Sequence, residues 1–142
     1  MKSKLAQRYV DDGMAVTSKP QLLLSLYERL LADVGRAIEA LESGEIETSH
    51  DNLVHAQDIV HELNLALDTH SWDTGRDLRA IYDHVTALLV EANTTKRAEP
   101  VRVCVSLLEP LHDAWRQAVA ITQSERAGAV SSGSDVAVEA AG

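Results

Sequence analysis

Two acid-x-x-His tetrads are the residues in this sequence best spaced to do chemistry: Glu109-Pro110-Leu111-His112 and Asp58-Ile59-Val60-His61. Helical bundles that hold two metal ions place Glu-x-x-His on two helices and a single Glu on each of the other two, all pointing inward. Glu28 and Glu91 are the available single carboxylates. Helical phase argues against such a centre. Leu108 and Leu111 lie on an apolar stripe, so Glu109 and His112 fall beside the seam. Asp58 falls nearly opposite the stripe of Ala56, Val60 and Leu63. The remaining histidines, His50, His55, His70 and His84, make no i, i+4 pair with one another or with His61 and His112. No Gly-rich phosphate loop and no nucleophile elbow is present. Cys104 sits on an apolar stripe and reads as a small buried hydrophobe. The residues therefore point to no catalytic group, no metal and no cofactor, and to a protein that binds rather than converts.

The elements that carry these residues are helices. Ser18-Lys19-Pro20-Gln21 has the form of a capping box with Pro in the first turn. The helix it opens carries Leu24, Tyr27, Leu31, Val34, Ile38 and Leu41, with Leu23, Leu30 and Ala37 beside them, and stops near Ser43-Gly44. A second helix, from about residue 47 to 68, has the stripe Leu53, Ala56, Val60, Leu63 and Leu67, widened by Ile59. A third starts near Asp73 or Thr74 and ends at Asn93-Thr94-Thr95. Its stripe is Leu78, Ile81, Val85, Leu88 and Ala92, with Tyr82 and Leu89 flanking. The fourth runs from about Ala98 to Thr122 on Val101, Cys104, Leu108, Leu111, Trp115 and Ala118, with Pro110 placed to kink it. Short loops between four such helices make neighbours antiparallel, an all-α up-down four-helix bundle over residues 18–123. Residues 1–17 read as an N-terminal arm and 124–142 as a flexible, disordered tail rich in Ser, Gly, Ala and Val.

Composition agrees and excludes other classes. The chain has 142 residues, one cysteine, three prolines and no phenylalanine. Apolar residues make up 45% and aromatics 4%, an Ala/Leu/Val-rich mix suited to helices rather than to a β-sandwich. Acids outnumber bases 22 to 13, for a net charge of −9. That balance lacks the basic face that phosphate contact needs, so nucleic acid is excluded as a partner. No apolar run approaches the roughly 20 residues of a membrane helix, and no apolar signal core follows Met1-Lys2-Ser3-Lys4, so the cytoplasm is the expected compartment. A bundle whose apolar stripes are wider than two neighbours need can leave grooves that accept amphipathic partner segments. Ile59, Tyr82 and Leu89 either line such a groove or complete the core.

The chain resembles the flagellar export chaperones of the FliS family, through motifs that occur in the family's order. These are Tyr9 in the arm, then Val16-Thr17-Ser18-Lys19-Pro20, and Leu26-Tyr27-Glu28 in the first helix. The second helix carries Asn52-Leu53-Val54-His55-Ala56-Gln57-Asp58-Ile59-Val60, then Glu62-Leu63 and Leu67-Asp68. The third has Ile81-Tyr82-Asp83 and Glu91-Ala92-Asn93; the fourth has Leu107-Leu108 and Asp113-Ala114-Trp115-Arg116-Gln117-Ala118. The chain departs from the family's pattern at Lys19, at Arg29, where Gly is usual, and at Ser71-Trp72-Asp73-Thr74-Gly75, the entry to the third helix. The resemblance implies a cytoplasmic bundle that binds the disordered C-terminal segment of flagellin, prevents its premature polymerisation and helps deliver it to the export gate of the flagellar type III apparatus. On that reading Tyr9 and Val10 gate a groove lined by Ile59, Val60, Leu63, Tyr82 and Leu89, with Asn52, Gln57 and Asn93 as polar anchors. A dimetal carboxylate enzyme and a generic helical adaptor are the alternatives.

Overall fold

A computed structural model describes residues 20–67 and 72–141, with side chains placed through Gly128 and, in the third helix, from Arg76. Four helices follow one another: α1 (Pro20–Glu42), α2 (Ile46–Leu65), α3 (Trp72–Thr95) and α4 (Glu99–Ala141). Each packs on its neighbours in sequence, and α4 returns to α1 to close the ring; no strand occurs among the described residues. The Ser43–Glu45 and Lys96–Ala98 turns are too short for anything but a reversal, which fixes the up-down order. The Tyr9 and Val10 arm and the Ser18 cap lie outside the described residues.

Local backbone chemistry sets the turns. Gly44 has φ 72°. There the Glu45 N–H donates to the Ala40 carbonyl at 2.8 Å, and the Gly44 N–H to Leu41 at 3.3 Å. This is the Schellman pattern, which needs a left-handed residue just past the helix. At the end of α3 the same role falls to Lys96, φ 57°, whose N–H donates to Ala92 at 2.8 Å. A lysine there carries the steric cost that glycine avoids.

The core is one continuous cluster from all four helices, with Trp115, Tyr27 and Tyr82 its largest fully buried side chains. On α1 the innermost line is Leu23, Tyr27, Leu30, Val34 and Ala37, while Leu24, Leu31, Ile38 and Leu41 are half-buried. On α3 it is Leu78, Tyr82, Val85, Leu89 and Ala92, with Ile81 and Leu88 half-buried. The expected stripe residues Tyr27 and Val34 on α1, and Leu78, Val85 and Ala92 on α3, are core, while at the other stripe positions a neighbouring residue takes the inner place. On α3 this turns Tyr82 inward, where its hydroxyl meets that of Tyr27 at 2.6 Å. Helical backbone in α4 passes through Pro110 and extends beyond Thr122 to Ala141. Exposed Ser106 carries the carbonyl that Pro110 leaves without a helical donor, so water can satisfy it. Beyond Thr122 the residues Gln123 to Gly128 are exposed, so no packed stripe accompanies the helix there.

Candidate functional site

The partner-binding residues expected from the sequence divide into a buried set and a surface set. Ile59, Val60, Leu63, Tyr82 and Leu89 are all buried and belong to the core cluster. Asn52, Gln57 and Asn93 are half-buried. Asn52 lies on the α1 side of α2, where its Oδ1 accepts from Arg36 Nε at 3.1 Å and its Nδ2 donates to the Thr48 carbonyl at 2.9 Å. Ile59, seven residues on, shares that side. Asn93 lies on the α2–α3 interface, facing α2.

Two side-chain bonds fix the register of that interface. Asn93 Nδ2 donates to His50 Nδ1 at 2.9 Å, and Asn64 Nδ2 donates to Asp83 Oδ1 at 3.2 Å. Lys96 Nζ holds the Asn93 amide from the other side at 2.6 Å. His50, Gln57 and Asn64 are seven apart, so they form one polar line along the seam. Between the two cross-links, Val54 on α2 and Val90 on α3 stand at the same level on the outer lip, both exposed, with exposed Leu65 two turns beyond the middle of α2. Sequence reasoning passed over Val54 and Val90. Their signal was an apolar residue on the solvent side of an otherwise explained stripe.

On the α1–α2 interface a second polar cluster surrounds Asp33, whose side chain is 3% exposed. Its Oδ1 accepts from Arg36 at 2.5 Å and its Oδ2 from His55 Nδ1. With Nδ1–H donating, His55 Nε2 is free to accept from the Arg29 guanidinium, 3.4 Å away. The cluster ties α1 to α2 and needs no external ligand to be satisfied.

The residues that could have held metals are dispersed. Glu109, Asp58, His61, Glu28 and Glu91 are exposed, and His112 Nε2 stands 3.8 Å from Glu28 Oε1 across the α1–α4 surface. Among the described residues no group of three or more His, Cys, Asp or Glu is placed to hold a metal ion. Burial pushes the Cys104 thiol up to about 12, and its Sγ faces the Val85 carbonyl at 3.7 Å. A thiol so protonated is a poor nucleophile. No described helix is long and apolar enough to cross a membrane.

The family model for the flagellar protein FliS matches residues 1–122. The chain belongs to the FliS family. The flagellar secretion chaperone FliS of Bacillus subtilis (strain 168) is 28% identical over 120 residues, covering 84% of this chain and 90% of that protein. The family is one of flagellar secretion chaperones, not of enzymes. The four-helix bundle with its apolar core agrees with that membership.

Proposed function

We propose that this protein is a cytoplasmic export chaperone that binds the disordered C-terminal segment of flagellin, prevents its premature polymerisation and helps deliver it to the flagellar type III export gate. The match of the family model across residues 1–122 carries this reading. The outer surface is compatible with it. Along the α2–α3 seam, exposed Val54 and Val90 offer apolar contact. Gln57 and Asn93 beside them offer polar anchors, and buried Val60, Leu63, Tyr82 and Leu89 hold the floor beneath. Ile59 and Asn52 act on the α1 side of α2. Tyr9 and Val10 gate the seam in the free protein and yield it to the client.

The physics of such a client suits release as well as capture. Ordering a disordered segment on binding consumes roughly 2–5 kcal/mol or more of the gross interaction. Apolar contacts shield the client's sticky face while this cost keeps affinity moderate. Calorimetry of the full chain with the C-terminal segment of flagellin from the same organism tests the reading. Binding in the micromolar range or tighter is the expected result, weakened by Val54→Asp or Val90→Asp with helical content intact. No heat of binding at tens of micromolar would sink it.

A further inference from the structure

Lys96 closes α3 with φ 57°, a left-handed backbone that residues with a Cβ rarely adopt. Gly44 meets the same demand at the end of α1 without that strain. Strain kept where glycine would serve points to a role for the side chain. Lys96 Nζ donates to Asn93 Oδ1 at 2.6 Å, and Asn93 Nδ2 in turn donates to His50 Nδ1 at 2.9 Å.

This run of bonds has a direction. An ammonium can only donate, so Lys96 holds Oδ1 on its own side and turns Nδ2 of Asn93 toward α2. His50 Nδ1 must then accept, which leaves the proton of the neutral ring on Nε2. A second proton enters at Nδ1. Imidazolium donates from both nitrogens, so its Nδ1–H faces the Asn93 Nδ2–H, donor against donor. Flipping the Asn93 amide gives no escape, because it presents Nδ2 to the Lys96 ammonium. Protonation of His50 therefore breaks the cross-link between α2 and α3. Imidazole is the side chain whose charge ordinarily changes between about pH 5 and 8.

His50 is exposed, with exposed Asp51 beside it and exposed Glu47 one turn before it on α2. Those carboxylates attract the proton. From the end of α3, Lys96 and exposed Arg97 oppose it. Glu91, two residues before Asn93, is turned about 160° away around α3. Glu45 shares a cleft with Lys96 between the two turns. One turn along from the cross-link, Val54 follows His50 and Val90 precedes Asn93, so the bond sets the spacing of those two exposed apolar side chains.

We infer that Lys96, Asn93 and His50 form a proton-sensitive clamp on the α2–α3 seam, closed while His50 is neutral and opened by its protonation. The consequence rests on the chaperone reading: with the clamp open, Val54 and Val90 are no longer held at a fixed spacing, and the seam holds its client less tightly.

NMR of the full chain without client tests the clamp. At about pH 8 the His50 ring should be the Nε2–H tautomer, and on acidification the Asn93 side-chain amide should shift in step with protonation of His50 Nδ1. An Asn93 amide indifferent to that protonation overturns the inference and leaves the chaperone reading standing. Calorimetry with the C-terminal segment of flagellin from the same organism tests the consequence. His50→Asn keeps an acceptor for Asn93 at every pH, and Lys96→Met frees Asn93 to flip and accept from protonated His50. Between about pH 8 and about pH 5.5 the unsubstituted chain should lose about threefold more affinity than either variant. Equal losses in all three proteins overturn the inference. Circular dichroism checks that each variant keeps its helix content; if one loses it, NMR of the unsubstituted chain decides. No binding by any of the three at either pH removes the chaperone reading, while the NMR result still decides the clamp.

Discussion

The hydroxyl of Tyr27 on α1 meets the hydroxyl of Tyr82 on α3 at 2.6 Å, across the diagonal of the bundle and out of reach of solvent. The rings are 6.3 Å apart and tilted by 58°. Neither hydroxyl has water to fall back on, so each is the other's partner. The Trp115 indole N–H is buried nearby. Removing one hydroxyl strands the other. Tyr27→Phe or Tyr82→Phe should each cost about 1–3 kcal/mol of stability, the desolvation of an unpaired buried group. The double Phe variant should be less destabilised than the sum of the singles. Urea denaturation of the four proteins measures the cycle, and strictly additive losses would show that the hydroxyls do not depend on each other.

The same burial sets the response to base. Desolvation holds both phenols well above their usual 10, and Cys104 rises from 9.0 to about 12. These are acids that stay protonated longer when folded than when unfolded. Between the unfolded and folded values the unfolded chain has released protons that the native state retains, so stability falls as pH rises. Their contribution is complete below pH 9 and declines above it, first for Cys104 and then for the tyrosines. Each group that retains its proton adds a slope of about 1.4 kcal/mol per pH unit. Phenolate absorbance measured beside circular dichroism checks this. Tyr27 and Tyr82 should ionise only as the helices melt, and ionisation of all three tyrosines in an intact fold would contradict it.

The architecture was legible in the sequence because four apolar stripes, their breaks and their lengths are each set by local pattern. The phase of two stripes was not. On α1 and α3 apolar residues come in adjacent pairs, such as Leu30 with Leu31 and Leu88 with Leu89. Either member satisfies a helical period, and only the packing of facing helices chooses between them. That choice also decides the surface. Tyr82 and Leu89, expected at a groove or in the core, are core, and Ile81 and Leu88 come to the lip instead. Gln57 and Asn93, expected as polar anchors through the family resemblance, are half-buried.

Asp33 gives an asymmetry that stability measurements can read. Its carboxylate is buried, whereas the side chains of its donors Arg36 and His55 are 58% and 46% exposed. Taking away Asp33 leaves two donors that water can solvate. Taking away both donors leaves a buried charge with no partner. Asp33→Ala should therefore cost about 1–2 kcal/mol, and the Arg36→Ala, His55→Ala pair about 3 kcal/mol or more. Adding Asp33→Ala to that pair should restore part of the loss. A triple variant less stable than the donor-deleted pair would mean that Asp33 does not depend on those donors.

Two glycines should respond to alanine in opposite directions. Gly35 is inside α1, and a Cβ built there meets nothing within 4 Å. Its backbone is ordinary helix, so alanine removes unfolded-state freedom without a clash, and Gly35→Ala should stabilise by about 1 kcal/mol. Gly44 also has open space around it, but its φ of 72° is the left-handed conformation that closes α1. Alanine there is strained by its own backbone, not by a neighbour, and Gly44→Ala should destabilise by about 1–2 kcal/mol. Lys96 already bears that strain at the end of α3, so Lys96→Gly relieves it but gives up the bond to Asn93 Oδ1. Thermal melts separate these effects. Gly35→Ala should raise the midpoint and Gly44→Ala lower it. A lowered midpoint for Gly35→Ala would show that the space above that residue is filled in solution.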